Sequence, residues 1–102
     1  MAKFEVRGYE DSTPACKASI DFLFEVSNLL VQKNKAYGDS AANPSRVFSR
    51  ASAVEQILVR VDDKLSRIRT TGFDPDASED TVQDLVGYLA LLRGALKANG
   101  TK

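Results

Sequence analysis

Histidine is absent from this sequence, and cysteine occurs once, at Cys16. An internal disulfide is therefore excluded, and so are zinc sites built from Cys and His. Catalytic triads that need a histidine base are excluded as well. Net charge is missing too: fourteen basic residues balance fourteen acidic ones. A neutral chain is not a bulk electrostatic binder of nucleic acid or of an anionic membrane surface, so any phosphate site must be local. No apolar run is long enough to span a bilayer, and the N-terminal stretch lacks a signal-peptide core. A soluble cytosolic protein is expected. Any chemistry must then use carboxylates, Lys, Arg, Tyr, Ser or a hard metal ion. Cys16 is most simply a small packed residue.

With 102 residues the chain is expected to be a single domain. A domain of this size buries only about 60–65% of its unfolded surface, which favours help from a partner subunit. Periodicity and punctuation predict three helices and an all-α fold. Residues 1–12 are polar and mixed, and Phe4, Val6 and Tyr9 suggest a short extended N-terminal arm. The first helix is expected from Thr13-Pro14, a cap followed by a residue suited to the first turn. Phe22, Leu23, Val26, Leu29 and Leu30 give it an apolar face, and Gly38 ends it. The second is expected from Asn43-Pro44 to Gly72, with an interruption allowed near residues 49–53. Its apolar seam, Val47, Ala51, Val54, Leu58, Val61, Leu65 and Ile68, alternates steps of four and three. Such a seam packs helices along their length. The third helix is expected after a cap at Asp76 or Ser78, with Val82, Leu85, Val86, Leu89, Leu92 and Leu96 buried. Short links between amphipathic helices predict an antiparallel bundle, and its thin core predicts a homo-oligomer, dimeric or higher.

The polar faces raise the question of function. Arg60, Asp63, Lys64 and Arg67 recur at steps of three and four on the second helix. Asp80 and Asp84, four apart, point the same way on the third, and Tyr88 follows four later. Asp84 reads as a mid-helix carboxylate, and Gly87 as a place where a neighbouring helix or ligand comes close. Each feature also has a bland reading. Asp63 and Arg67 can be an exposed ion pair, Asp80 a first-turn carboxylate favoured by the helix dipole, and Tyr88 a bundle residue with a wet hydroxyl. Together, though, acidic, basic and aromatic groups between helices suit a nucleotide. A hard ion such as Mg²⁺ needs oxygen ligands and keeps several waters, cationic side chains neutralise phosphate oxygens, and a ring can stack on a base.

Three segments, "KNKAYGDSAANPSRVF", "VRVDDKLSRI" and "SEDTVQDLVGYLALL", resemble small phage and bacterial proteins related to the MazG-like all-α nucleoside triphosphate pyrophosphohydrolases. The resemblance implies a helical oligomer that splits a nucleoside triphosphate into monophosphate and pyrophosphate with Mg²⁺, in the host cytoplasm if phage-encoded. Lys64 and Arg67 would then act on the phosphates. Lys33, Tyr37, Gly38, Asp39 and Tyr88 would border the nucleotide. Asp80 and Asp84, with Asp63 or Glu25, would hold the metal. This chain departs from the family in lacking a Glu-Glu-x-x-Glu motif and in spacing its later acidic pair by four, which weakens the case for hydrolysis more than for binding. A binding module without turnover, or a structural helical oligomer, remains the alternative.

Overall fold

The computed structural model describes residues 5–38, 50–73 and 80–98, with Tyr37 described by its backbone alone. Those residues form three α-helices: α1 (Pro14–Tyr37), α2 (Ala53–Thr71) and α3 (Thr81–Ala98). The all-α expectation holds, and among the described residues no strand occurs.

Local chemistry sets the ends. Thr13 accepts a hydrogen bond from the Cys16 amide, and Pro14 starts α1 without needing an amide donor of its own. Gly38, at φ 65°, takes the chain out of α1 through a conformation that a side chain would resist. Gly72, at φ 77°, ends α2, and its amide donates to the Ile68 carbonyl at 2.8 Å. The interruption allowed by the sequence near residues 49–53 is present among the described residues, and α2 starts after it, at Ala53. Residues 50–52 are non-helical, and Ser52 caps α2 by accepting from the Glu55 amide at 3.1 Å. Asn43 and Pro44 lie outside the described residues. The signal for the true start was the Ser-x-x-Glu spacing of Ser52 and Glu55, a capping-box pattern. Asp80 caps α3, accepting from the Gln83 amide at 2.9 Å; Asp76 and Ser78 lie outside the described residues.

α3 is the central element. It packs closely on α2 and more loosely on α1, and α1 and α2 do not pack on one another among the described residues. The α2–α3 pair is antiparallel. Lys64, late in α2, meets Asp84 in the first turn of α3, while Ile57, earlier in α2, clusters with Ala95 near the end of α3. The core of this pair is Ile57, Val61 and Ala95, extended by Val54, Leu85, Tyr88, Leu91 and Leu92.

The buried line of α2 is not the expected seam. Ala53, Ile57, Val61 and Lys64 turn inward, whereas Leu58 and Leu65 stay 42% and 50% exposed. On a helix advancing 100° per residue, the packed face is rolled by roughly 60–70° from the heptad seam. Two apolar lines share Val61, and α3 covers the one that contains Ile57. On α3, Val82 and Leu89 are exposed for the corresponding reason: the packed line runs through Leu85, Tyr88, Leu92 and Ala95.

Residues 5–12 are not an extended arm. Val6, Gly8 and Tyr9 carbonyls accept from the amides of Tyr9, Asp11 and Ser12, giving successive turns. They carry Tyr9 back onto α1, where its ring is buried and its hydroxyl donates to Asp21 Oδ1 at 2.7 Å. Lys17 Nζ lies 5.9 Å from the centre of the same ring, within cation–π range. Phe4 lies outside the described residues. Cys16 is exposed rather than packed. Among the described residues no helix is long and apolar enough to cross a membrane.

Candidate functional site

The polar residues singled out in the sequence separate into different environments. Lys64 and Asp84 come together. Lys64 Nζ stands 3.3 Å from Asp84 Oδ2, across the α2–α3 interface, with side chains only 9% and 19% exposed. Lys64 is the buried charged residue among the described ones. Its position follows from the roll of α2. The line Ala53, Ile57, Val61 continues to Lys64 after a step of three, so the residue that packs α2 against α3 at this level is a cation.

Asp84 sits in the first turn of α3, not in mid-helix, because Asp80 and not an earlier residue is the cap. Its amide donates to the Asp80 carbonyl at 3.0 Å. A carboxylate there is favoured by the helix dipole as well as by the ammonium opposite. Tyr88 lies one turn further along α3 and packs, half-buried, against the Ile57–Val61–Ala95 core. The interface therefore places a cation, a carboxylate and an aromatic ring within about two helical turns.

The other candidates do not join them. Asp63 and Arg67 pair with one another at 3.4 Å on the outer face of α2, with side chains about half exposed. Arg60 is also exposed, so the basic face expected of α2 divides: Lys64 turns to α3 while its neighbours face solvent. An exposed pair four residues apart contributes only about 0.3–0.5 kcal/mol. Asp80 Oδ1 is engaged as a helix cap. Glu25 is exposed on α1, a helix that rests on α3 and not on α2. Lys33 is exposed near the end of α1 and Gly38 forms its terminus; Asp39 and the Tyr37 side chain lie outside the described residues. Gly87 does not mark a close approach, since a Cβ built there would meet nothing within 4 Å.

Mg²⁺ prefers a near-octahedral set of oxygens, usually one or two carboxylates completed by water and substrate phosphate. Among the described residues no three acidic side chains converge. Asp84 faces a lysine, Asp80 a backbone amide and Asp63 an arginine. The described carboxylates by themselves do not form a metal cage. The chain matches no family model, no curated protein and no solved structure.

Two features were missed from the sequence. Ile57 lies outside the strict heptad count yet is the most buried residue of α2. The Tyr9–Asp21 hydrogen bond joins residues twelve apart through a turn that no periodicity reports. The Gly8 turn, at φ 82°, was its one local signal.

A concavity lies between α1 and α3. It is an open apolar groove of about 420 Å³, lined by Ala18, Ser19, Phe22, Leu23 and Val86. It carries no charged side chain and no perturbed polar group, so it offers shape and hydrophobicity but no chemistry.

Proposed function

We propose that this chain binds a nucleotide, or a nucleotide-like molecule bearing phosphate, at the α2–α3 interface around Lys64. The observation that carries the reading is the buried Lys64–Asp84 pair, 3.3 Å apart in an otherwise apolar helix contact. Apolar residues of similar volume in place of such a pair are often as stable or more stable, because desolvating two charges costs several kcal/mol per ion. A small domain with a thin core has little reason of stability to place a lysine there. A lysine held in a low-dielectric interface is, however, well suited to a phosphate. The anion replaces Asp84 as its counter-charge, and the interaction is strengthened by the exclusion of water. Tyr88, one turn from Asp84, supplies a ring for a base. Spacing of the segments around Tyr37, Lys64 and Asp84, similar to the pyrophosphohydrolases, supports the same ligand class.

The hydrolytic form of this reading is water attack on a phosphoanhydride, giving a monophosphate and pyrophosphate. It needs oxygen ligands for Mg²⁺ beyond Asp84, but Asp63 and Asp80 are otherwise engaged and Glu25 lies on α1, which does not pack on α2 among the described residues. Binding without turnover is therefore the form the described residues support better. Calorimetric titration with the common ribo- and deoxyribonucleoside triphosphates, with Mg²⁺ and with EDTA, separates the two. Binding that persists in EDTA, with no pyrophosphate released, is the expected result. Pyrophosphate release that needs Mg²⁺ favours the hydrolase. Absence of binding across the panel rejects both.

One observation favours a second reading. Lys64 and Asp84 pair with one another across the α2–α3 contact. A single buried polar pair can fix helix register at some cost in stability. In that case the chain is a structural bundle whose pair selects one packing, and its removal alters conformational uniqueness without altering any ligand interaction.

A further inference from the structure

The described part of the bundle leaves α2 half covered. α3 occupies the face of Ala53, Ile57, Val61 and Lys64, and α1 does not reach α2. On the uncovered side Glu55, Leu58, Asp62, Leu65 and Arg69 follow one another at steps of three and four, and all five are exposed. This is one continuous stripe. It carries two leucines seven residues apart, an acid at its N-terminal end and a base at its C-terminal end.

We infer that this stripe is a self-association surface: α2 pairs with α2 of a second copy in antiparallel orientation, about a two-fold axis near Asp62. The pattern selects that occupant. In the antiparallel arrangement Leu58 of one copy lies over Leu65 of the other, twice, and Glu55 at each end lies beside the opposing Arg69. A C2 interface must be complementary to itself, and a stripe with opposite charges at its two ends and equivalent leucines inside them meets that condition. A parallel pairing instead stacks Glu55 on Glu55 and Arg69 on Arg69. Leu58 and Leu65, the two leucines of the heptad seam that α3 leaves exposed, then gain a partner, while Val54 and Val61 of the same seam pack toward α3. The absence of any fully buried side chain among the described residues fits a core that is finished only in the dimer. Asp62 meets its own counterpart at the axis, a local repulsion that holds the dimer below its maximum strength. This face is separate from the Lys64–Asp84 interface, and the inference does not rest on nucleotide binding.

Sedimentation equilibrium of the full chain tests it. The wild type is expected to show a concentration-dependent monomer–dimer equilibrium. Leu58→Glu and Leu65→Glu, at exposed positions, should each weaken it more than tenfold, with helicity retained by circular dichroism. Arg69→Glu should weaken it, and adding Glu55→Arg to that variant should restore it. Asp62→Asn should tighten it. Orientation is read by crosslinking in a Cys16→Ser background: Leu58→Cys mixed with Leu65→Cys gives a mixed disulfide dimer, and neither variant alone does. A monomer at all concentrations overturns the inference, as does a dimer indifferent to Leu58→Glu, or a Leu58→Cys protein that crosslinks to itself.

Discussion

Replacing Lys64 by Met while Asp84 remains leaves a carboxylate inside a helix interface without its counter-charge. Removing one partner of a buried ion pair typically costs about 3–5 kcal/mol. Asp84 keeps a fifth of its side-chain surface, so water reaches it, and the lower end, about 3 kcal/mol, is expected. A chain of this length has a total stability on the order of 5–15 kcal/mol. The variant is therefore expected to remain folded but to lose a large share of its margin, with a melting temperature lower by roughly 12–24 °C at about 4–8 °C per kcal/mol. Asp84→Leu should cost less, about 2 kcal/mol, because the long lysine stem can carry its ammonium toward solvent. The double variant Lys64→Met/Asp84→Leu should return to within about 1 kcal/mol of the wild type, since apolar replacement of both partners is close to neutral. Urea unfolding followed by far-ultraviolet circular dichroism, with all four proteins in one buffer, gives the double-mutant cycle. The expected coupling has a magnitude of about 4–6 kcal/mol, above the roughly 0.5–3 kcal/mol usual for residues in contact, because each single variant leaves an uncompensated charge in the interface. Single variants that each cost less than about 0.5 kcal/mol would show that the pair is effectively solvated. A double variant no better than the worse single would show that packing, and not charge, decides the site.

Gly87→Ala should stabilise the protein by about 1 kcal/mol, because the methyl enters open space and the helix gains propensity; a midpoint shift in urea measures it. Ser52→Ala should cost about 1 kcal/mol through loss of the α2 cap, whereas Asn in the same place should cost little. Tyr9→Phe should lose about 1 kcal/mol, the worth of the part-buried hydrogen bond to Asp21, and proteolysis should then cut residues 5–12 faster than in the wild type. Asp63→Ala should change stability by less than about 0.5 kcal/mol, since its pair with Arg67 is exposed.

The three helices were legible because each has an apolar period and clear punctuation. Thr13-Pro14, Gly38 and Gly72 do in the structure what such residues do in isolation. Competing signals were less legible. Asn43-Pro44 and Ser52-x-x-Glu55 are both plausible helix starts, and the chain uses the second for α2. The run FDPDASED offers several caps, and Asp80 is the one that binds an amide. Moving the start of α3 changed the meaning of Asp84 from a mid-helix acid to a first-turn acid.

The site was partly legible for a related reason. Spacing says which residues share a face of their own helix, but not which face the neighbour covers. Asp63 and Lys64 are adjacent, and the 100° between them puts one in solvent and the other under α3. Heptad counting favoured the longer apolar line of α2, through Leu58 and Leu65. The shorter line through Ile57 won the contact with α3, and it brought Lys64 inward with it.

A phosphate-bearing ligand is proposed to meet the protein at Lys64 and Asp84. Amide chemical-shift mapping on the labelled full chain, titrated with each common nucleoside triphosphate, addresses it residue by residue. Saturable shifts are expected, concentrated in residues 60–68 and 80–88, and they should be lost in the folded Lys64→Met/Asp84→Leu protein. Shifts confined to the apolar groove around Phe22 and Leu23, or shifts that persist unchanged in that double variant, would contradict it.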